Sequence, residues 1–149
     1  MFELAIVIMT FLIMEFVAWF THKYVMHGFL WYLHEDHHVL TGNTFQKNDA
    51  FALIFAIPSM SCFFIGRFHG PSWLIFVGTG ILLYGIAYML VHDIFIHRRL
   101  KIFTKPTNIY LKGILYAHRR HHIQLGKENG EYFGMLIVPN KVLKIMKNK

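Results

Sequence analysis

The chain is expected to be all-α: an integral membrane protein with three to four transmembrane helices and a histidine-rich di-metal centre on the cytoplasmic side. Three observations predict this. The 149 residues are 55% hydrophobic and 17% aromatic, and only 15% are charged, against about 25% charged residues in a soluble domain. Three stretches are long and apolar enough to cross a bilayer. The chain also carries 11 histidines, ten of them in compact clusters. Mean hydropathy is +0.41, which excludes a disordered chain. The length fits one membrane-embedded domain, residues 1–149, and no low-complexity linker starts a second. Cys62 is the single cysteine, so no internal disulfide scaffold is available.

The first stretch runs from about Phe2 to Phe20, broken only by Glu3 and Glu15. No basic region precedes it and no small-residue cleavage site follows, so it reads as a retained helix rather than a signal peptide. The second covers roughly Phe51 to Gly66, with Pro58 where neighbouring helices absorb a kink. The third covers roughly Trp73 to Val91. Between them Arg67-Phe68-His69-Gly70-Pro71 reads as a tight turn. Pro106 to His122 is a shorter helix, interfacial or partly inserted, with Pro106 suited to its first turn. From Asn140 a basic amphipathic helix is expected to lie on the membrane lipids. Phe133 to Val138 is apolar but too short to span.

Charge sets the orientation. The net charge is +7, and Arg67 is the only basic residue at the hairpin turn. The other fourteen lie in the segment from Lys23 to Lys47 or the tail from Arg98 to Lys149. Three spans put both segments on one side, and basic loops favour the cytoplasm. The excess also attracts anionic headgroups. Nucleic-acid binding does not suit so apolar a chain.

The histidine clusters are His22-Lys-Tyr-Val-Met-His27, His34-Glu-Asp-His37-His38, His92-Asp-Ile-Phe-Ile-His97 and His118-Arg-Arg-His121-His122. As patterns they read HxxxxH, HxxHH, HxxxxH, HxxHH, a pair of boxes that occurs twice. Residues at i, i+3 and i+4 share a helix face, so His34, His37 and His38 are expected to point at one centre, as are His118, His121 and His122. An i, i+5 pair lies about 140° apart on an ideal helix. His22/His27 and His92/His97 therefore need a helix end or a π-type bulge to converge. Neutral imidazole suits iron, zinc, copper and nickel. A tetrahedral zinc takes four ligands, so ten imidazoles point to two metals with four or five each. His69, at the turn, belongs to no box.

Metal-bound histidines usually donate their second N–H to a carboxylate or carbonyl. Asp36 and Asp93 lie within boxes, and Asp49, Glu128 and Glu131 lie nearby. Glu15 is an acid inside a span and thus a functional candidate. It precedes His22 by about 10 Å along the axis, too far for direct bonding in a straight helix. Two rival readings start from the same residues. His34-Glu35-Asp36-His37-His38 satisfies H-E-x-x-H, in which Glu35 would be the base of a zinc metalloprotease. The second copy puts Arg119 in that position, and a protease leaves both HxxxxH boxes unexplained. A haem carrier needs paired histidines on facing spans rather than doublets such as His37-His38.

In this order and spacing the boxes resemble the fatty acid hydroxylase/sterol desaturase superfamily of membrane di-iron enzymes. The wording around them is similar to its bacterial carotenoid β-ring hydroxylase branch. The segments concerned are 14–28 around the first box, Leu33-His-Glu-Asp-His-His38, Lys47-Asn-Asp49, Val91-His-Asp93 with His97-Arg98, and Ala117-His-Arg-Arg-His-His122. The resemblance spans Phe2 to about Pro139 and implies all ten box histidines as ligands of two iron ions, with zinc competing in purified protein. It further implies an O2-dependent monooxygenase of the bacterial plasma (inner) membrane, hydroxylating C3 of carotenoid β-ionone rings taken from the lipid phase. Another branch would act on a lipid or sterol. No flavin- or nicotinamide-binding G-x-G-x-x-G unit follows a strand. Electrons are therefore expected from a ferredoxin-type donor with an NADPH-dependent reductase.

Overall fold

A computed structural model describes residues 1–39, 45–102 and 105–148. Lys149, the end of the basic tail, lies outside them. Six α-helices are present and no strand occurs among the described residues: α1 (Phe2–Phe20), α2 (Trp31–His38), α3 (Ala50–Phe68), α4 (Leu74–Met89), α5 (Ile109–His122) and α6 (Asn140–Lys147). Both HxxxxH boxes fall in π-helical turns. One (Thr21–Phe29) continues α1 until the backbone leaves helical geometry at Gly28; the other (Leu90–Ile96) continues α4.

Counted with these extensions, Phe2–Phe29, Lys47–Phe68 and Leu74–Ile96 are long and apolar enough to cross a membrane. The fourth segment, α5, is not long enough to cross by itself. Its 14 residues reach only about 21 Å at 1.5 Å per residue, and Arg119 and Arg120 lie in its last turn. Pro106 is not in the first turn either. The helix begins three residues later at Ile109, behind Asn108, whose Oδ1 accepts the N–H groups of Tyr110 and Leu111; an Asn side chain caps orphan donors, which proline cannot do.

Helix α4 packs between α1 and α3. The approach to α1 is close at Gly80, where a Cβ would lie 2.6 Å from Thr10 Cβ and 2.8 Å from the Val7 carbonyl. Small residues let apolar helices meet where no hydrophobic force drives them together. The outward faces are large and apolar, including Leu4, Leu12, Phe16, Leu53, Ile57 and Leu82. That surface suits lipid. The interior is the reverse: three of the four largest fully buried side chains are His34, His92 and His121. Among the described residues two small hydrocarbon clusters form, one around Phe95, Ile114 and Val142 and one around Met14 and Tyr84. The hairpin between α3 and α4 stands at one end of the bundle. Both π-turns, α2 and the start of α3 gather at the other, so the chain brings all four boxes to a single end.

Candidate metal centre

The π-turns resolve the i, i+5 problem. The amide of Leu30 bonds to the Val25 carbonyl at 3.0 Å and that of His97 to the His92 carbonyl at 2.9 Å, the i→i+5 pattern that stacks residues five apart. His22 and His27 then face one another with ring centroids 5.3 Å apart, and His92 and His97 at 4.5 Å.

The ten imidazoles form two groups. Ligand nitrogens of His22, His27, His34, His38 and His121 all lie within 4.8 Å of one another, as do those of His37, His97, His118 and His122. His92 joins the second group, its Nε2 3.0 Å from that of His37. This corrects the expectation that each HxxHH box serves one centre. His34 and His38 enter one group and His37 the other; His118 and His122 enter one and His121 the other. The reason is helical: i and i+4 differ by about 40° around the axis, while i+3 and i+4 differ by about 100°. Each unit therefore supplies four imidazoles to its own group and sends the i+3 histidine across. The groups abut where His38 stacks on His122, centroids 4.6 Å apart.

In the first group, Nδ1–H of His22, His27, His38 and His121 donates to the carbonyls of Phe133, Lys127, Gln124 and Glu131 at 2.8–3.0 Å. His34 Nδ1 pairs with Asn48 Oδ1 at 2.7 Å. In the second, His37 pairs with Gln46 Oε1 at 3.1 Å and His92 with Asp93 Oδ1 at 2.8 Å. A carbonyl only accepts, so Nδ1 carries the proton and Nε2 is a lone pair. Burial keeps the rings neutral. It depresses His34 and His97 to about 3 and His38 and His122 to about 4, and holds His37 and His118 well below the ordinary range.

Neutral rings held in this way aim lone pairs at each other. Nε2–Nε2 separations are 3.1 Å for His22–His34, 3.2 Å for His27–His121 and for His34–His38, and 3.0 Å for His37–His92. His122 Nε2 is buried with no hydrogen-bond partner among the described residues. Facing lone pairs repel unless a cation lies between them. Two nitrogens bound at about 2.1 Å and at right angles are about 3.0 Å apart, which matches. The donor set fits two metal ions.

A model of the fatty acid hydroxylase family matches residues 7–142. The chain belongs to that family. Membership makes it a hydroxylating oxidoreductase with a metal centre. Among curated proteins it is 40% identical over 131 residues to the β-carotene hydroxylase of Pseudescherichia vulneris, covering 88% of this chain and 74% of the relative. It is 39% identical over 134 residues to that of Pantoea ananas, covering 90% and 76%. A chloroplastic β-carotene 3-hydroxylase of Arabidopsis thaliana is 34% identical over 139 residues, covering 91% and 44%. No solved structure matches.

Around this hydroxylase's two groups, the expected carboxylate partners divide. Asp93 holds His92 directly. Asp49 instead bonds Arg99 at 2.5 Å and the Gln46 amide at 3.0 Å, and Asp36 bonds the Lys47 amide at 2.6 Å. Glu131 serves through its carbonyl, while its side chain lies 3.8 Å from Arg120; Glu128 is exposed. Glu35 is exposed too, so the protease base points away from the group that takes His34 and His38. His69 is exposed at the far end of α3, against Phe64. Sequence reasoning missed Gln46, Asn48, Gln124, Lys127 and Phe133. The first two lie at or beside the quoted Lys47-Asn-Asp49 segment; the other three act through backbone oxygen, which leaves no mark on residue identity.

Proposed function

We propose that this chain hydroxylates carotenoid β-ionone rings at C3, converting β-carotene to zeaxanthin through β-cryptoxanthin. In this reading two iron ions are held by His22, His27, His34, His38 and His121 and by His37, His92, His97, His118 and His122. Bound there with O2, such a pair supplies an oxidant able to replace a C–H bond of an unactivated ring carbon by C–OH, the second oxygen atom leaving as water. The observation that carries the reading is the pair of imidazole groups, one of five and one of four with His92 beside it, at the end of three lipid-facing helices, in a chain whose relatives are named β-carotene hydroxylases.

The protein's own part is positional. Nδ1 acceptors fix the tautomer of His22, His27, His34, His37, His38, His92 and His121, so Nε2 faces inward. Burial excludes protons that would compete for those nitrogens. The Phe133 ring lies 5.1 Å from the His27 and His121 rings, an apolar wall beside the first group, on the side where α1 meets lipid. A hydrocarbon substrate approaches through the membrane without desolvation cost. Two electrons per hydroxylation come from a ferredoxin-type donor with its NADPH-dependent reductase, drawn to the basic face that includes Arg119, Arg120 and Lys127. The basic segments set the boxes on the cytoplasmic side of the bacterial plasma membrane.

Expression in cells that make β-carotene tests this directly. Zeaxanthin and β-cryptoxanthin in the extracted pigment support the reading. Unchanged pigment with altered lipids or sterols assigns the chain to another branch of the family.

A further inference from the structure

Glu15 is a carboxylate in the middle of a membrane span, 7% exposed, and its hydrogen bonds among the described residues go to no histidine. Both its oxygens accept. The Tyr84 hydroxyl donates to Oε2 at 2.7 Å. The amides of Met135 and Ile137 donate to Oε1 at 3.0 Å each, and that of Leu136 reaches both oxygens at 2.9 and 3.1 Å. Three consecutive N–H groups thus converge on one carboxylate from a segment 120 or more residues away. Burying a carboxylate is costly unless charge-assisted hydrogen bonds compensate. A neutral side chain would tie this non-helical segment to α1 at less cost, so the expense points to a demand for accuracy in the segment it holds.

That segment orients the first histidine group. Phe133, whose carbonyl takes the His22 proton, stands two residues before Met135, and Glu131, whose carbonyl takes the His121 proton, stands four before it. Between the two carbonyls Tyr132 is left-handed, with φ 58°, a conformation a tyrosine keeps only where its surroundings impose it. The axial gap between Glu15 and His22 is bridged by this returning backbone.

We propose that Glu15 is a positioning residue for the first histidine group alone, acting through the backbone of residues 133–137 on the Nδ1 acceptors of His22 and His121. The proposal rests on the ligand assignment under Proposed function. The test is cobalt(II) binding to the purified full chain in detergent, followed by visible absorption and stoichiometry, with helix content measured alongside. Wild-type protein binding two cobalt ions upholds the ligand assignment; fewer than two overturns that assignment and this proposal with it. Given two, Glu15→Ala is expected to weaken one site about tenfold or more, the range for partners behind metal ligands, and to leave the other site's affinity and spectrum unchanged. Glu15→Gln, which keeps an amide oxygen for the three N–H groups, should recover part of that loss, and Tyr84→Phe should perturb the same site least. If Glu15→Ala does not accumulate, Glu15→Gln and Tyr84→Phe decide by the same one-site criterion. Equal weakening of both sites, loss of helix content in step with metal loss, or wild-type binding in every variant overturns the proposal.

Discussion

The two histidine groups come from one repeated unit, yet they are held differently. Four of the five imidazoles in the first group donate to backbone carbonyls of residues 124–133, and all five are buried. In the second group the acceptors are the side chains of Gln46 and Asp93, and His97 and His122 are only half-buried. Asp93 is in turn 4.0 Å from Arg99, which binds Asp49. Ligand identity therefore comes from the repeat, whereas the acceptors come from segments outside it except Asp93, which lies within its own box. A carbonyl acceptor resists substitution because every residue has one. A side-chain acceptor can be tuned by a single change, so the second group is where substitution alters the charge beside the metal.

The largest effects should come from the histidines that cross over. His37→Ala and His121→Ala are each expected to abolish hydroxylation, measured as product in membranes with matched protein. His37→Ala should weaken only the second metal site, and His121→Ala only the first, as read by metal titration. Full activity in His121→Ala would break the two-site account. A protease-like site would instead need Glu35, so Glu35→Gln should retain activity.

Next come the acceptors. Asp93→Asn and Gln46→Ala should weaken the second site about 10–100-fold, and Asn48→Ala should do the same at the first. No side-chain deletion removes the carbonyls, but Gly130→Ala reaches them indirectly. Its Cβ would lie 2.7 Å from Phe133 Cζ, so Phe133 must shift against the His22, His27 and His121 rings. A metal loss smaller than that of Asn48→Ala, and confined to the first site, is expected. Loss at the second site would contradict the division of labour.

Acid should act on both groups. His34 and His97 are depressed to about 3 and His38 and His122 to about 4 in the folded protein, against about 6.5 unfolded. The fold keeps its full stability above the unfolded value, and stability is lost as pH falls from about 6.5 toward about 3, because the unfolded rings take up protons first. Thermal unfolding of metal-free protein should therefore weaken progressively across that window; a flat profile would rule out neutral buried rings. The smallest effect belongs to His69→Ala, exposed at the hairpin end, which should leave activity and metal content unchanged.

Much of this was legible in the sequence because the signals were local. The apolar run ends at Phe20 as α1 does, and the i, i+5 spacing of His22/His27 and His92/His97 called for the π-turns that form. The partition of each HxxHH box was not legible. Spacing shows that three residues share a broad face, but only the packing of α2 and α5 between two centres decides which edge of that face each group uses. The partner of Glu15 was hidden for a different reason. Amide hydrogens of residues 135–137 belong to no residue type, and their approach depends on chain return over 120 positions. At α5 a local signal misled: Pro106 suits a first turn, but Asn108 offers a side-chain acceptor and took the cap.

The most direct test of the central claim is an experimental structure of the active, iron-loaded protein with anomalous scattering recorded at the iron edge. Two iron peaks are expected, one among His22, His27, His34, His38 and His121 and the other among His37, His92, His97, His118 and His122. A single peak, or one iron bound by His34, His37 and His38 together, would contradict the account.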